Sequence, residues 1–212
     1  MLLAFDTATP FVAVALHDGD AVVAEARSTQ RMKHGEQLAP LVERALADAG
    51  VGRQDLTAVA VGTGPGPFTG LRVGLVTART LGYVLDIPVY GVCTLDAIAL
   101  EAAAALGGSG PFVVATDARR KEVYLAAYDA NGSRVSGPLA DRPAAVATDL
   151  PVAGEGGLLY PEHFPRAVGP ALPSAGWLAQ GVVDERVELT GPEPRYLRRP
   201  DAVAPGAPKR VT

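Results

Sequence analysis

Apolar and polar positions follow two rhythms along this chain, and each change of rhythm marks an element. Residues 2–5 are apolar and stop at Asp6-Thr7, with Pro10 closing the turn. Residues 11–16 form a second apolar run, His17-Asp18-Gly19-Asp20 carries an Asp-Gly hairpin signal, and residues 21–27 form a third run. Three consecutive antiparallel strands are expected. The period then lengthens. Leu38, Leu41, Val42, Ala45, Leu46 and Ala49 fall on one stripe of a helix over about 35–49, with Gly50 as its stop. Pro40 lies near the start and predicts a slight kink or a helix that begins there. A strand over 57–62 leads to a helix over 69–85, and a strand over 87–92 leads to a helix over 94–106. Thr69 and Thr94 are candidate N-caps.

The order β-β-β-α-β-α-β-α predicts a mixed sheet with helices against it. Gly107-Gly108-Ser109-Gly110-Pro111 reads as a boundary. It separates an N-terminal domain over 1–106 from a smaller one over 107–199, followed by a tail over 200–212. The second half restarts with a strand over 112–116, a polar turn at 117–121 and a strand over 122–129. Asn131-Gly132 is a hairpin signal, strands follow near 133–138 and 151–153, and weak helix patterns cover 157–163 and 174–181. Trp177 is expected in the core of this second domain. Both halves open with a strand ending in aspartate, Asp6 and Asp117. This weak repeat is the arrangement of the α/β actin-like ATPase fold, in which two ribonuclease H-like domains face each other across a nucleotide cleft.

Composition narrows the function. With 212 residues, 48% hydrophobic and 20% charged, the chain can bury a core and is not disordered. A net charge of −4 argues against sequence-blind coating of nucleic acid. Cys93 is the only cysteine, so no internal disulfide forms and a reducing, cytoplasmic compartment is expected. Cys93 itself reads as a buried small hydrophobe. Neither a signal peptide nor a membrane helix is expected from the pattern.

The stretch Gly62-Thr63-Gly64-Pro65-Gly66-Pro67-Phe68-Thr69-Gly70-Leu71-Arg72-Val73-Gly74 joins a strand to a helix. No lysine follows its glycines, so it is not a P-loop. It reads as an anion site at a helix start or as a rigid turn, and Pro65 and Pro67, which lack N–H donors, favour the turn. Asp6, Thr7, Asp117, Gly154 and Gly156 are candidates for the remnant of a nucleotide site. Two of its phosphate turns are eroded, because Thr7-Ala8-Thr9-Pro10 and Asp117-Ala118-Arg119 lack the expected glycine. Of His17, His34 and His163, no two lie close enough for a His-x-x-x-His metal pair. Arg119, Arg120 and Lys121, with Arg195, Arg198 and Arg199, are solvated charges or tRNA phosphate contacts. Gly70, Gly74, Ala78 and Gly82 place small residues at four-residue steps on one helix. That stripe packs on the chain's own sheet or forms a seam with a second chain.

Five segments together closely resemble the TsaB (YeaZ) family: Leu3-Ala4-Phe5-Asp6-Thr7-Ala8-Thr9, His34-Gly35-Glu36-Gln37-Leu38-Ala39-Pro40, the glycine-rich stretch, Thr116-Asp117-Ala118-Arg119-Arg120-Lys121-Glu122-Val123-Tyr124, and Pro194-Arg195-Tyr196-Leu197-Arg198. Pro67 departs from the serine usual in that family. The resemblance implies the actin-like fold, with a smaller, degenerate second subdomain. It also implies a non-catalytic role in N6-threonylcarbamoylation of adenosine 37 in tRNAs reading codons that begin with A. The main partner implied is the transferase TsaD, with TsaE beside it, pairing through the first two helices, with a homodimer when alone and tRNA met mostly indirectly. No cofactor is expected in the isolated chain, and ATP or ADP is left open at the junction with TsaD. The interface residues expected are Leu38, Leu41, Val42, Ala45, Leu46, Gly70, Leu71, Gly74, Ala78 and Gly82. Replacing Gly74 by leucine is then expected to block pairing and leave the chain folded. The rivals are a peptidase acting on TsaD, for which no triad or metal pair is evident, and an ATP-dependent phosphotransferase with Asp117 as its carboxylate.

Overall fold

The computed structural model describes residues 1–198, so Arg199 and the expected tail over 200–212 lie outside the described residues. Strand β1 (Leu2–Asp6) lies at the centre of the first sheet. It pairs antiparallel with β2 (Ala13–His17) and parallel with β4 (Ala58–Gly62). The edges are β3 (Val22–Arg27) and β5 (Val89–Val92), giving the order β3-β2-β1-β4-β5. Helices α1 (His34–Asp48), α2 (Phe68–Leu85) and α3 (Thr94–Leu106) connect these strands and lead out of the sheet. The second sheet, ordered β8-β7-β6-β9, contains β6 (Phe112–Arg119), β7 (Glu122–Tyr128), β8 (Arg134–Asp141) and the two-residue β9 (Val152–Ala153). Helices α4 (Glu155–Leu159) and α5 (Ala175–Val183) follow. Two mixed sheets, the second smaller, form the α/β architecture expected from the sequence.

Strand β1 is apolar throughout because both its faces are covered. Leu3 and Phe5 pack with Leu38, Val42, Leu71 and Leu75 of α1 and α2. Leu2 and Ala4 pack on the other face with Ala97 of α3 and Leu178 of α5. Each fully buried leucine or phenylalanine contributes about 1.5–3 kcal/mol relative to an exposed one.

The core does not divide where the chain does. Leu95, Ile98, Ala99 and Ala102 of α3 pack with Phe112, Val114 and Tyr128 of the second sheet. Helix α5 belongs by sequence to the second half, yet it lies on β1 and β2 of the first sheet. Trp177 therefore sits on the first sheet's helix layer and not in a core of the second half.

Three local expectations need correction. Helix α1 runs through Pro40, which sits inside it. Both Pro40 and Glu36, whose carbonyl loses its partner, are exposed, so water can meet that carbonyl. Helix α2 starts after Pro67, so Thr69 caps nothing. Thr94 is the first residue of α3, and its hydroxyl serves another purpose described below.

Candidate functional site

The β1–β2 turn and the glycine-rich stretch form one interlocked unit. Asp6 is fully buried at the end of β1. Its carboxylate accepts hydrogen bonds from the Ala8 N–H at 2.7 Å and from the Thr94 hydroxyl at 2.6 Å. Thr94 Oγ1 in turn accepts from the Gly64 N–H at 3.2 Å. Thr7 donates through its hydroxyl to the Gly70 carbonyl at 2.8 Å, and His34 Nε2 meets the Thr9 carbonyl at 2.7 Å. A carbonyl can only accept, so the proton of His34 resides on Nε2. His34 thus ties the start of α1 to the turn. Burial pushes the Asp6 carboxyl above its ordinary value, with the Thr94 and Ala8 hydrogen bonds opposing it.

The glycines in this unit are places of close approach. A Cβ on Gly66 would lie 2.3 Å from the Ala8 carbonyl oxygen, and one on Gly74 would lie 2.4 Å from Thr7 Oγ1. Gly70 and Gly82 are equally confined, against Thr7 and Val89. The small-residue stripe of α2 therefore faces the chain's own first sheet and its turn. Leu38, Val42, Ala45, Leu46, Leu71 and Ala78 lie in the same core, with Leu41 packed against it. The inward stripe expected as a partner seam is internal packing, because those side chains already have their neighbours.

Each of the three turns expected as the remnant of a nucleotide site is held by contacts within the chain. Residues 6–10 are buried beneath the glycine-rich stretch, so the first turn presents no open cradle for phosphate. At the second, Asp117 accepts from the Arg119 N–H at 2.8 Å and pairs with its guanidinium at 3.1 Å. Arg119, Arg120 and Lys121 take successive left-handed conformations there, with φ of 63°, 54° and 61°. At the third, Gly154 and Gly156 lie against Ala115 of β6, whose carbonyl oxygen would be 2.2 Å and 2.9 Å from their Cβ atoms. These glycines let α4 cross β6.

The basic residues are engaged in part. Arg198 donates to the Ala118 carbonyl at 2.6 Å and pairs with Glu122 at 3.1 Å. Residues 190–198 run from the edge of the first sheet, where Thr190 bridges Gly91, past Thr63, whose carbonyl accepts from Arg195 N–H at 2.8 Å, to that turn. Cys93 is buried, which pushes its thiol up to about 12. His17 contacts Gln180 at 3.0 Å and His163 lies 3.7 Å from Glu162. Among the described residues, no group of three His, Cys, Asp or Glu side chains could hold a metal, and no helix is long and apolar enough to cross a membrane.

What α1 and α2 leave outward is a different set of residues. Tyr83 is 90% exposed, Val84 70% and Val76 60%, all on the outer side of α2. At its N-terminal end Phe68 stacks on Tyr196 at 5.3 Å, and the Arg72 guanidinium lies 3.7 Å over the Phe68 ring. Sequence reasoning missed these residues because it looked for one apolar stripe. The signal was an excess of apolar residues beyond that stripe, which makes α2 apolar on two sides.

The family model for TsaD, tRNA N6-adenosine threonylcarbamoyltransferase, matches residues 21–169. An uncharacterized protein of Mycobacterium tuberculosis strain H37Rv is 44% identical over 218 residues, 95% of this chain and 93% of that protein. The tRNA threonylcarbamoyladenosine biosynthesis protein TsaB of Bacillus subtilis is 35% identical over 127 residues, 60% of this chain and 54% of that protein. The match to that TsaB thus spans about half of its length. The solved structure of YeaZ from Pseudomonas aeruginosa superposes with a TM-score of 0.76 at 30% identity, covering 92% of this chain and 99% of that one.

Proposed function

This chain belongs to the TsaB (YeaZ) family, and from that premise we propose that it serves tRNA threonylcarbamoyladenosine biosynthesis as a binding subunit without catalysis of its own. Its main partner is a threonylcarbamoyltransferase of the TsaD type, with TsaE joining the assembly. Alone, the same face pairs two copies of the chain. The observation that carries this reading is the outer face of α2, where Val76, Tyr83 and Val84 stand exposed on a rigid, well-packed helix. A patch of this kind rimmed by the charges of α1 and α2 suits helix-against-helix docking. The burial of the first turn and the side-chain pairing of Asp117 with Arg119 at the second support a role that transfers no phosphoryl group.

In this reading the seam lies on the outward side of these helices, which the exposure of Val76, Tyr83 and Val84 supports. Gly74→Leu is no test of it, because the added side chain would strike Thr7 inside the fold. Tyr83→Glu and Val76→Arg are suitable. With the TsaD of the same organism, size-exclusion chromatography with light scattering should show a one-to-one complex for the natural chain. Each variant should lose most of it, while its own stability stays within about 0.5 kcal/mol, as for exposed positions generally. Variants that co-elute at the natural yield would move the seam elsewhere. No complex for the natural chain, with or without ATP, would remove the reading.

A further inference from the structure

On the opposite face of the first sheet from α1 and α2, β3, α3, α5 and the loop before α5 line a cavity of about 520 Å³ that is open to solvent along β3, where Val22, Glu25 and Arg27 are exposed. That volume is within the range of small-molecule sites, roughly 300–1,000 Å³. Its walls bring together chemistry that the proposed partner role does not use. Glu101 of α3 is half-buried at the cavity, and among the described residues it has no hydrogen-bond or ion-pair partner. Burial pushes its carboxyl up, with Arg27 opposing. Arg27 of β3 donates through Nη2 to the Pro173 carbonyl at 2.6 Å. No other acceptor among the described residues meets its guanidinium, and no ion pair closes between it and Glu101. Glu25 is already satisfied, accepting from the Ser174 hydroxyl at 2.8 Å at the start of α5. Trp177 and Leu172, both half-buried, supply an apolar wall.

The cavity therefore presents two carboxylates, Glu25 bonded to Ser174 and Glu101 without a partner among the described residues, one cation with donors to spare, and an apolar surface beside them. A half-buried carboxylate has lost part of its hydration, and a ligand ammonium would compensate for that loss. The Arg27 fork matches a carboxylate. A molecule whose two opposite charges are one carbon apart can bridge groups that attract each other without touching. We propose that this cavity binds a free α-amino acid with an apolar side chain, its ammonium on Glu101, its carboxylate on Arg27 and its side chain against Trp177 and Leu172.

Trp177 is the only tryptophan of the chain, so its fluorescence reports the cavity directly. Titration of the full chain with L-leucine and with L-phenylalanine should change that emission saturably for at least one of them, with a Kd of about 1 mM or tighter. The one-charge analogues 3-methylbutylamine and 4-methylpentanoate should bind at least about tenfold more weakly than leucine, as should leucine to Glu101→Gln. Glu101→Gln should keep the natural melting temperature and tryptophan spectrum. Tyr83→Glu, across the sheet, should bind leucine normally, which separates this site from the partner face. The proposal is overturned if neither amino acid gives a saturable change up to about 10 mM, if the amine alone binds as tightly, or if Glu101→Gln binds unchanged.

Discussion

Asp6 holds a carboxylate away from water, with donors from Ala8 and Thr94. Its raised pKa fixes the sign of its effect on stability. Above the unfolded value of 3.8 the native state keeps a proton that the unfolded chain has released, so stability falls as pH rises through the window up to the folded value. Asp6→Asn should flatten that slope, and urea unfolding of both proteins across the window would show it. Parallel curves would mean that Asp6 titrates normally. Thr94→Val strips the carboxylate of its shortest hydrogen bond and leaves the Gly64 N–H without an acceptor, so it should cost about 1–3 kcal/mol by chemical denaturation. Gly66→Ala should be worse tolerated than an exposed glycine-to-alanine change. Its Cβ meets a backbone carbonyl that cannot rotate away, and overpacking of this kind costs about 1–3 kcal/mol. An unchanged melting curve for Gly66→Ala would contradict the interlock.

At the scale of elements, the period of the apolar positions together with the turn signals was enough to locate in outline the nine strands and three long helices of the described residues. The reason is that β1 to α3 alternate regularly between two-residue and helical spacing. The candidate site was less legible. A stripe such as Gly70-Gly74-Ala78-Gly82 says that something approaches closely, and it cannot say whether that something is a partner or Thr7 of the same chain. Thr94 looked like a cap because a cap and a buried tether both need a hydroxyl at a helix start. The two oppositely charged groups of the cavity are 74 positions apart, Arg27 on an edge strand and Glu101 on α3, so only the folded arrangement brings them to one cavity. The two-sided character of α2 has its own consequence. Val76 and Tyr83 lie one heptad apart on the exposed side, so Val76→Arg together with Tyr83→Glu should abolish pairing in a light-scattering assay while the helix content by circular dichroism is unchanged.

For the whole molecule, α3 packs in the cores of both sheets and α5 returns from the second half to the first sheet, so the halves should unfold as one cooperative unit. Unfolding followed by tryptophan emission and by far-ultraviolet circular dichroism should give one coincident transition. A fragment of residues 1–106 would lack α5, exposing Leu2, Ala4 and Ala60, and should be insoluble or unfolded; a soluble fragment with a sharp melt would refute this. The same arrangement bears on synthesis. A ribosome delivers β1 about 170 residues before α5, which completes the cover of its second face. At about 5–20 residues per second the nascent strand waits on the order of ten to forty seconds with one flank open. During that interval its oily side stays open to water, and translation speed through the second half decides how long the exposure lasts.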